Sequence, residues 1–209
     1  MFASLPLPPA LLQGVDALGY ARMTPIQAQA LPAILDGRDL IAQAPTGSGK
    51  TAAFGLGLLH RLDAARIQTQ ALVLCPTREL ADQVGKQLRR LAVGIPNLKI
   101  SILCGGMPLA PQLASLEHDP HVVVGTPGRV QELLRKKALH LRGVRVLVLD
   151  EAFNGLDRTS AEQLTTELDQ RRSAGAGILL ASHDLGFLAE WCDRGVLLAP
   201  GGRVVGVAG

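Results

Sequence analysis

Aromatic residues are scarce in this chain: four Phe, one Tyr and one Trp make up 3% of 209 residues. No aromatic platform for stacking nucleobases is therefore in view. Cysteine is also sparse. Cys75, Cys104 and Cys192 make no even set and no CxxC spacing, which excludes a disulfide-stapled secreted domain. No apolar run approaches the roughly 18 residues that a membrane span needs, so no membrane insertion is expected. The opening MFASLPLPPALL has neither a basic n-region nor a cleavage site and does not read as a signal peptide. A cytoplasmic protein is the expectation. Internal repeats, low-complexity tracts and Gly/Ser linkers are missing too, which argues for one domain over residues 1–209.

What is present is an ordinary α/β composition, 47% hydrophobic and 19% charged, with 23 Gly and 13 Pro. Such a chain can bury a full core without disulfide or metal staples. The net charge of +3 conceals a division. Residues 1–149 hold 16 Lys and Arg against 9 Asp and Glu, whereas residues 150–209 hold 5 against 9. A basic front and an acidic back place any polyanion partner on the front, although ordinary variation in surface charge would look the same.

Apolar β-rich runs alternate with helical stretches from residue 39 onward. Strands are expected at Asp39–Ala44, Ala71–Cys75, Lys99–Leu103, His121–Gly125, Val144–Asp150, Gly177–Ser182, Gly195–Leu198 and, weakly, Arg203–Val207. Helices are expected at Lys50–Leu62, Arg78–Ala92, Leu109–Glu117, Arg129–Lys136, Ser160–Arg172 and Leu185–Cys192. This alternation means βαβ units and a mostly parallel sheet covered on both faces. Continuous cores such as VLVL at 146–149 fit strands buried on both sides. Thr159-Ser160-Ala161-Glu162 reads as a capping box, and Gly201-Gly202-Arg203 as a hairpin turn.

The strongest chemical signal is Ala44-Pro45-Thr46-Gly47-Ser48-Gly49-Lys50-Thr51, between a strand and a helix. Its glycines let consecutive N–H groups, from Thr46 to Gly49, turn toward phosphate oxygens at a helix N-terminus. Lys50 would reach the β/γ-phosphates, and the Thr51 hydroxyl would hold Mg²⁺. The general pattern begins with Gly, where this chain has Ala44. An acidic partner follows the strand Val144–Leu149: Asp150 would bind Mg²⁺ through water, and Glu151 would orient or deprotonate an attacking water. The expected fold is thus a P-loop NTPase, a three-layer sandwich of RecA-like type, binding ATP or ADP with Mg²⁺.

Further segments in the front part resemble the first RecA-like lobe of DEAD-box RNA helicases, most closely the DbpA type. Thr24-Pro25-Ile26-Gln27, with Phe2 and Gly19 upstream, looks like the family's adenine-reading Q motif. The resemblance implies that Gln27 bonds the adenine edge and that Phe2 packs against the base. QAPTGSGKTAAFGLGLL is similar to the family's phosphate loop, Ala44 included. Pro76-Thr77-Arg78-Glu79-Leu80-Ala81, the pair Gly105-Gly106, and Thr126-Pro127-Gly128-Arg129 look like three segments that touch single-stranded RNA. Each follows a strand end, where open α/β sheets place ligands, and each suits phosphate contacts without base reading. Binding would be sequence-blind, weak and salt-sensitive.

Beyond residue 152 the pattern changes, with Phe153 where the helicase family continues with Asp. Asn154-Gly155-Leu156-Asp157 and ILLASHDLGFLAEWCDRGVLLAPGGRVV resemble the C-terminal part of an ABC-transporter ATPase. That resemblance implies that His183 senses the γ-phosphate and that Asp157 belongs to a D-loop; a turn acid before a capped helix is the plainer account of Asp157. Together the two resemblances imply a chimera, engineered or reconstructed, with a divergent natural protein as the alternative. A second helicase lobe and an LSGGQ signature are not found, so neither duplex unwinding nor transport is expected. Slow hydrolysis is the most the domain would deliver, because missing arginine fingers cost about 10³–10⁵ in rate. Three readings follow: a slow ATPase, a nucleotide- or RNA-binding module without turnover, or a folded chain with no selected function. No obligate protein partner is evident.

Overall fold

The computed structural model describes residues 1–36 and 47–150, isolated positions between 162 and 173, and the strands at 177–181, 195–198 and 204–208. After a 3₁₀ turn at Phe2–Ser4, α1 (Pro9–Ala17), α2 (Pro25–Leu35) and α3 (Lys50–His60) precede the first strand. The alternating part is β1 (Ala71–Leu74), α4 (Arg78–Leu91), β2 (Ile100–Leu103), α5 (Leu109–Ala114), β3 (Val122–Gly125), α6 (Pro127–Arg135) and β4 (Val146–Asp150). The strands β5 (Gly177–Ala181), β6 (Gly195–Leu198) and β7 (Val204–Ala208) complete the described elements.

One sheet runs in the order β2-β3-β1-β4-β5. Ala71 pairs with Val122 on one side and Val146 on the other, and Ile100 pairs with Val122, all in parallel register. All residues of β1 and β3 are buried, as interior strands covered on both faces must be. β6 and β7 pair antiparallel, as a hairpin requires; the Gly201-Gly202-Arg203 turn lies outside the described residues. Each strand that falls on described residues lies within two residues of its expected bounds. The expected strand Asp39–Ala44, the helix Leu185–Cys192 and the capping box at 159–162 lie outside them or only partly inside. Among the described residues, no helix is long and apolar enough to cross a membrane.

The chain divides into two compact units. Unit 1 comprises Met1–Arg61, Lys86–Pro96 and Leu179–Gly209; unit 2 comprises Leu62–Gly85 and Asn97–Ile178. In unit 1, α1 and α2 are additions to the expected elements. Each starts with proline at its first position, where no N–H is needed. Thr24 and Gln27 then form a reciprocal capping box on α2. Gly14 of α1 faces the Leu91 backbone so closely that an added Cβ would lie 1.9 Å from the Leu91 oxygen. In unit 2, buried Gln70 and His121 hold the loop before β1. The Gln70 amide donates to Asp63 O at 2.8 Å and Arg66 O at 2.9 Å. His121 Nδ1 accepts from the Lys99 N–H at 3.0 Å, so Nε2 carries the proton toward Ala64 O at 3.2 Å.

Candidate functional site

Within unit 1, the segment Thr24–Gln27 and the glycine-rich loop are joined. Gln27 is buried, and its Oε1 accepts from the Thr24 N–H at 2.9 Å. Its Nε2 donates to Gly49 O at 3.2 Å. Gly49 caps α3 at φ 95°, a left-handed conformation that penalises any Cβ, and a Cβ there would also strike Gln27 Nε2 at 2.5 Å. Gly47 is left-handed as well, at φ 81°. Lys50 and Thr51 form the first turn of α3, where N–H groups lack intrahelical acceptors and the helix dipole favours an anion. Ser48 Oγ is buried with no hydrogen-bond partner among the described residues. A buried unpaired hydroxyl beside a helix N-terminus suits phosphate oxygens, so the residues present fit a nucleotide.

Phe2 is buried and its ring stacks on Tyr20, with centroids 6.3 Å apart and planes at 23°. The Tyr20 hydroxyl accepts from Gln87 Nε2 at 3.1 Å. Tyr20 was not foreseen as part of this site; its only sequence signal is that it is the sole tyrosine. Thr46, Glu151, Asp157 and His183 lie outside the described residues, and Asp150 is described only as the last residue of β4.

Unit 2 gathers the three segments expected to touch RNA. Thr77 caps α4, its Oγ1 accepting from the Leu80 N–H at 3.2 Å. Arg78 is half exposed at 52% and pairs with Glu79 at 3.0 Å. The Glu79 carboxyl is held below its ordinary value by a backbone N–H and by the Arg78 guanidinium. The Thr126 hydroxyl accepts from the Gly105 N–H at 3.0 Å instead of capping α6. Gly106, at φ 71°, lies beside the Arg78 guanidinium. Pro76, Gly105, Gly106, Thr126 and Pro127 thus meet at the C-terminal ends of β1, β2 and β3.

Arg129 departs from the expected surface role. It is only 8% exposed, lies 3.1 Å from the Glu132 carboxylate, and donates to Met107 O at 3.0 Å. The structure makes it a brace between α6 and the loop after β2, because burial leaves its guanidinium to internal acceptors. Gln112 adds a second brace, its Nε2 donating to Cys104 O at 3.0 Å. Gly128 differs in having open space where a Cβ would go. Beside Arg78 lies a cavity of about 400 Å³ bordered by Asp82, Ile102, Cys104, Met107 and Gln112. Burial pushes the Cys104 thiol above its ordinary value.

A parallel sheet with a glycine-rich loop capping a helix and ligand segments at its strand ends defines a nucleotide-binding α/β protein of the RecA-like type. The DEAD/DEAH box helicase family matches residues 24–182, and the chain belongs to it. It is 60% identical over 151 residues to the ATP-dependent RNA helicase DbpA of Escherichia coli, covering 72% of this chain and 33% of that protein. It is 44% identical over 163 residues to the DEAD-box ATP-dependent RNA helicase CshA of Bacillus cereus, covering 78% of this chain and 31% of that protein. The chain therefore spans about a third of the length of these relatives. A DEAD box protein from Methanococcus jannaschii superposes with a TM-score of 0.82 at 32% identity, covering 93% of this chain and 54% of that one. Saccharomyces cerevisiae Dbp5 bound to RNA and ADP BeF3 superposes with a TM-score of 0.78 at 30% identity, covering 92% of this chain and 49% of that one.

These matches correct two expectations. The helicase family extends to residue 182, well past residue 152 where its pattern was expected to stop, which points to a natural helicase sequence and not to an engineered chimera. Phe153 is a single departure from the family pattern inside a match that spans residues 24–182. The likeness of residues 150–209 to an ABC-transporter ATPase finds no support in these matches. The expectation that helicase activity is absent is also overturned, since the relatives are named ATP-dependent RNA helicases.

Proposed function

We propose that this chain is the nucleotide- and RNA-binding lobe of an ATP-dependent RNA helicase. The observation that carries the reading is the Gln27–Gly49 hydrogen bond, which joins an adenine-reading segment to a phosphate loop inside one unit. The loop amides from Thr46 to Gly49, with Ser48 Oγ, would hold phosphate oxygens, and Lys50 would neutralise the β/γ-phosphates. Thr51 would hold Mg²⁺, and the acidic pair Asp150-Glu151 keeps the role that its motif implies. The nucleotide and its Mg²⁺ supply the phosphoryl bond and the charge neutralisation. Gln27 selects adenine through its amide. Arg78, the loop at Gly105 and Gly106, and the first turn of α6 at Thr126–Gly128 hold RNA phosphates, with Arg129 acting as their brace. With no aromatic side chain among these segments, binding ignores base identity and weakens as salt rises.

The test is titration of the full chain with a fluorescent ATP analogue, beside phosphate release with and without single-stranded RNA. Saturable binding that Lys50→Ala removes, and release that RNA accelerates and Glu151→Gln abolishes, are expected. A flat titration, identical for the native chain and Lys50→Ala, would overturn the nucleotide reading. Phosphate release indifferent to RNA would overturn the RNA-dependent one.

A further inference from the structure

Opposite the strand ends that carry Arg78, Gly105 and Thr126, the sheet of unit 2 has a second charged edge. Because β3 and β4 are parallel, the connection through α6 must return the chain to the edge where the strands begin. It does so through Arg135-Lys136-Lys137-Ala138-Leu139-His140-Leu141-Arg142-Gly143-Val144-Arg145, a stretch without one acid. Arg135, Lys136, Lys137, His140, Arg142 and Arg145 are all exposed, while Leu139, Leu141 and Val144 anchor the segment in the core. The Arg145 N–H donates to Gln70 O at 2.8 Å, which fixes the segment beside the start of β1. Among the described residues, no carboxylate pairs with Lys136, Lys137, Arg142 or Arg145. The nearby Asp63 is already held by Arg66 at 3.1 Å, and Glu117 and Asp119 precede β3 at this same edge, with the start of β1 lying between them and β4.

Cations at a helix C-terminus offset the helix dipole, which accounts for Arg135 and Lys136. It does not account for Arg142 and Arg145, which lie beyond the helix. Lys137 is a separate observation. It sits at φ 56°. The Lys137 N–H donates to Leu134 O at 2.9 Å and the Ala138 N–H to Leu133 O at 3.0 Å, a helix end that glycine ordinarily occupies without strain. A lysine here keeps a charge on the surface at a conformational cost.

We propose that this edge is a second RNA-binding face, engaging the phosphate backbone of a distal segment of the same RNA whose single-stranded part lies at the opposite edge. The proposal rests on the RNA reading of the first edge. Charge attraction without base contacts suits a flexible array of Lys and Arg on a loop, and it favours the dense backbone of a duplex. An RNA long enough to pass from one edge to the other would gain affinity from two linked attachments. A short oligonucleotide would not.

The test compares a hexanucleotide with a stem-loop bearing a single-stranded tail, both titrated against the full chain over a salt series. The triple variant Lys136→Gln, Lys137→Gln, Arg142→Gln is expected to bind the hexanucleotide as the native chain does. It should bind the stem-loop roughly tenfold more weakly, with a salt slope shallower by about 0.9 for each phosphate no longer neutralised. The swap Lys136→Arg, Lys137→Arg, Arg142→Lys should restore both. Unchanged stem-loop affinity and slope would overturn the second face, as would a loss confined to anionic vesicles with RNA untouched. Failure of the native chain to bind the hexanucleotide, or indifference of that binding to Arg78→Ala, would instead overturn the RNA reading of the first edge.

Discussion

The side-chain amide of Gln27 donates to the carbonyl of Gly49 across 22 positions of sequence, at 3.2 Å. The same side chain accepts from the Thr24 N–H, so one buried residue caps α2 and steadies the phosphate loop. Gln27→Ala is expected to cost about 1–3 kcal/mol of stability, because buried donors and acceptors lose their partners. It should also weaken ATP by about tenfold, the equivalent of roughly 1.4 kcal/mol. Thermal melting and a fluorescent-nucleotide titration measure the two effects; loss of stability with unchanged nucleotide affinity would leave Gln27 a cap alone.

Gly128 separates folding from ligand approach. It stands in the first turn of α6 with open space around the site of a Cβ. Gly128→Ala should therefore fold as well as the native chain or gain about 0.5–1 kcal/mol from helix propensity. If an RNA backbone closes on this turn, the same methyl lowers RNA affinity. A variant that is more stable and binds RNA equally well would remove Gly128 from the interface.

Arg78 and Arg129 should behave in opposite ways. Arg78 is half exposed and Arg129 is buried against Glu132 and Met107. Arg78→Ala should weaken RNA and flatten its salt dependence with little change in melting temperature. Arg129→Ala should cost about 1–3 kcal/mol, since it leaves the Met107 carbonyl without its donor. Its RNA affinity should fall only as far as the loop at Gly105 loosens. An Arg129→Ala chain with native stability would contradict the brace.

Cys104 should resist alkylation in the folded chain. It is buried, and burial raises its thiol above the ordinary value, so the reactive thiolate is rare at neutral pH. The raised value also sets a sign for stability. The folded state favours the protonated thiol, so this contribution is complete below the ordinary thiol value and is lost as pH rises through the folded one. Peptide mapping after iodoacetamide treatment, with and without denaturant, checks the protection; rapid labelling of folded Cys104 would contradict it.

Much of the fold was legible because its strands are written as unbroken apolar runs. ALVL and VVVG are buried throughout and VLVL from Leu147 onward, in a parallel sheet covered on both faces that admits little else. The two N-terminal helices were not foreseen. Pro9 and Pro25 open them, Pro32 lies inside α2, and helix periodicity is weak where a helix is apolar nearly all round. The glycine-rich loop and the segments at 76–78, 105–106 and 126–129 were legible as motifs because each is contiguous in sequence.

The sequence by itself determined the alternation of strands and helices from α3 onward, the loop that caps α3, and the family to which the chain belongs. Local spacing and hydrophobic runs carry that information, and neither depends on distant neighbours. Only the tertiary structure decided what the motif side chains do. Thr126 turns to the Gly105 amide 21 residues away instead of capping its own helix, and Arg129 turns inward to Met107 at a separation of 22. The basic residues from Arg135 to Arg145 became a surface only once parallel pairing returned them to the far edge of the sheet. Burial and charge placement are properties of the packed chain, set by contacts between residues that the sequence keeps apart.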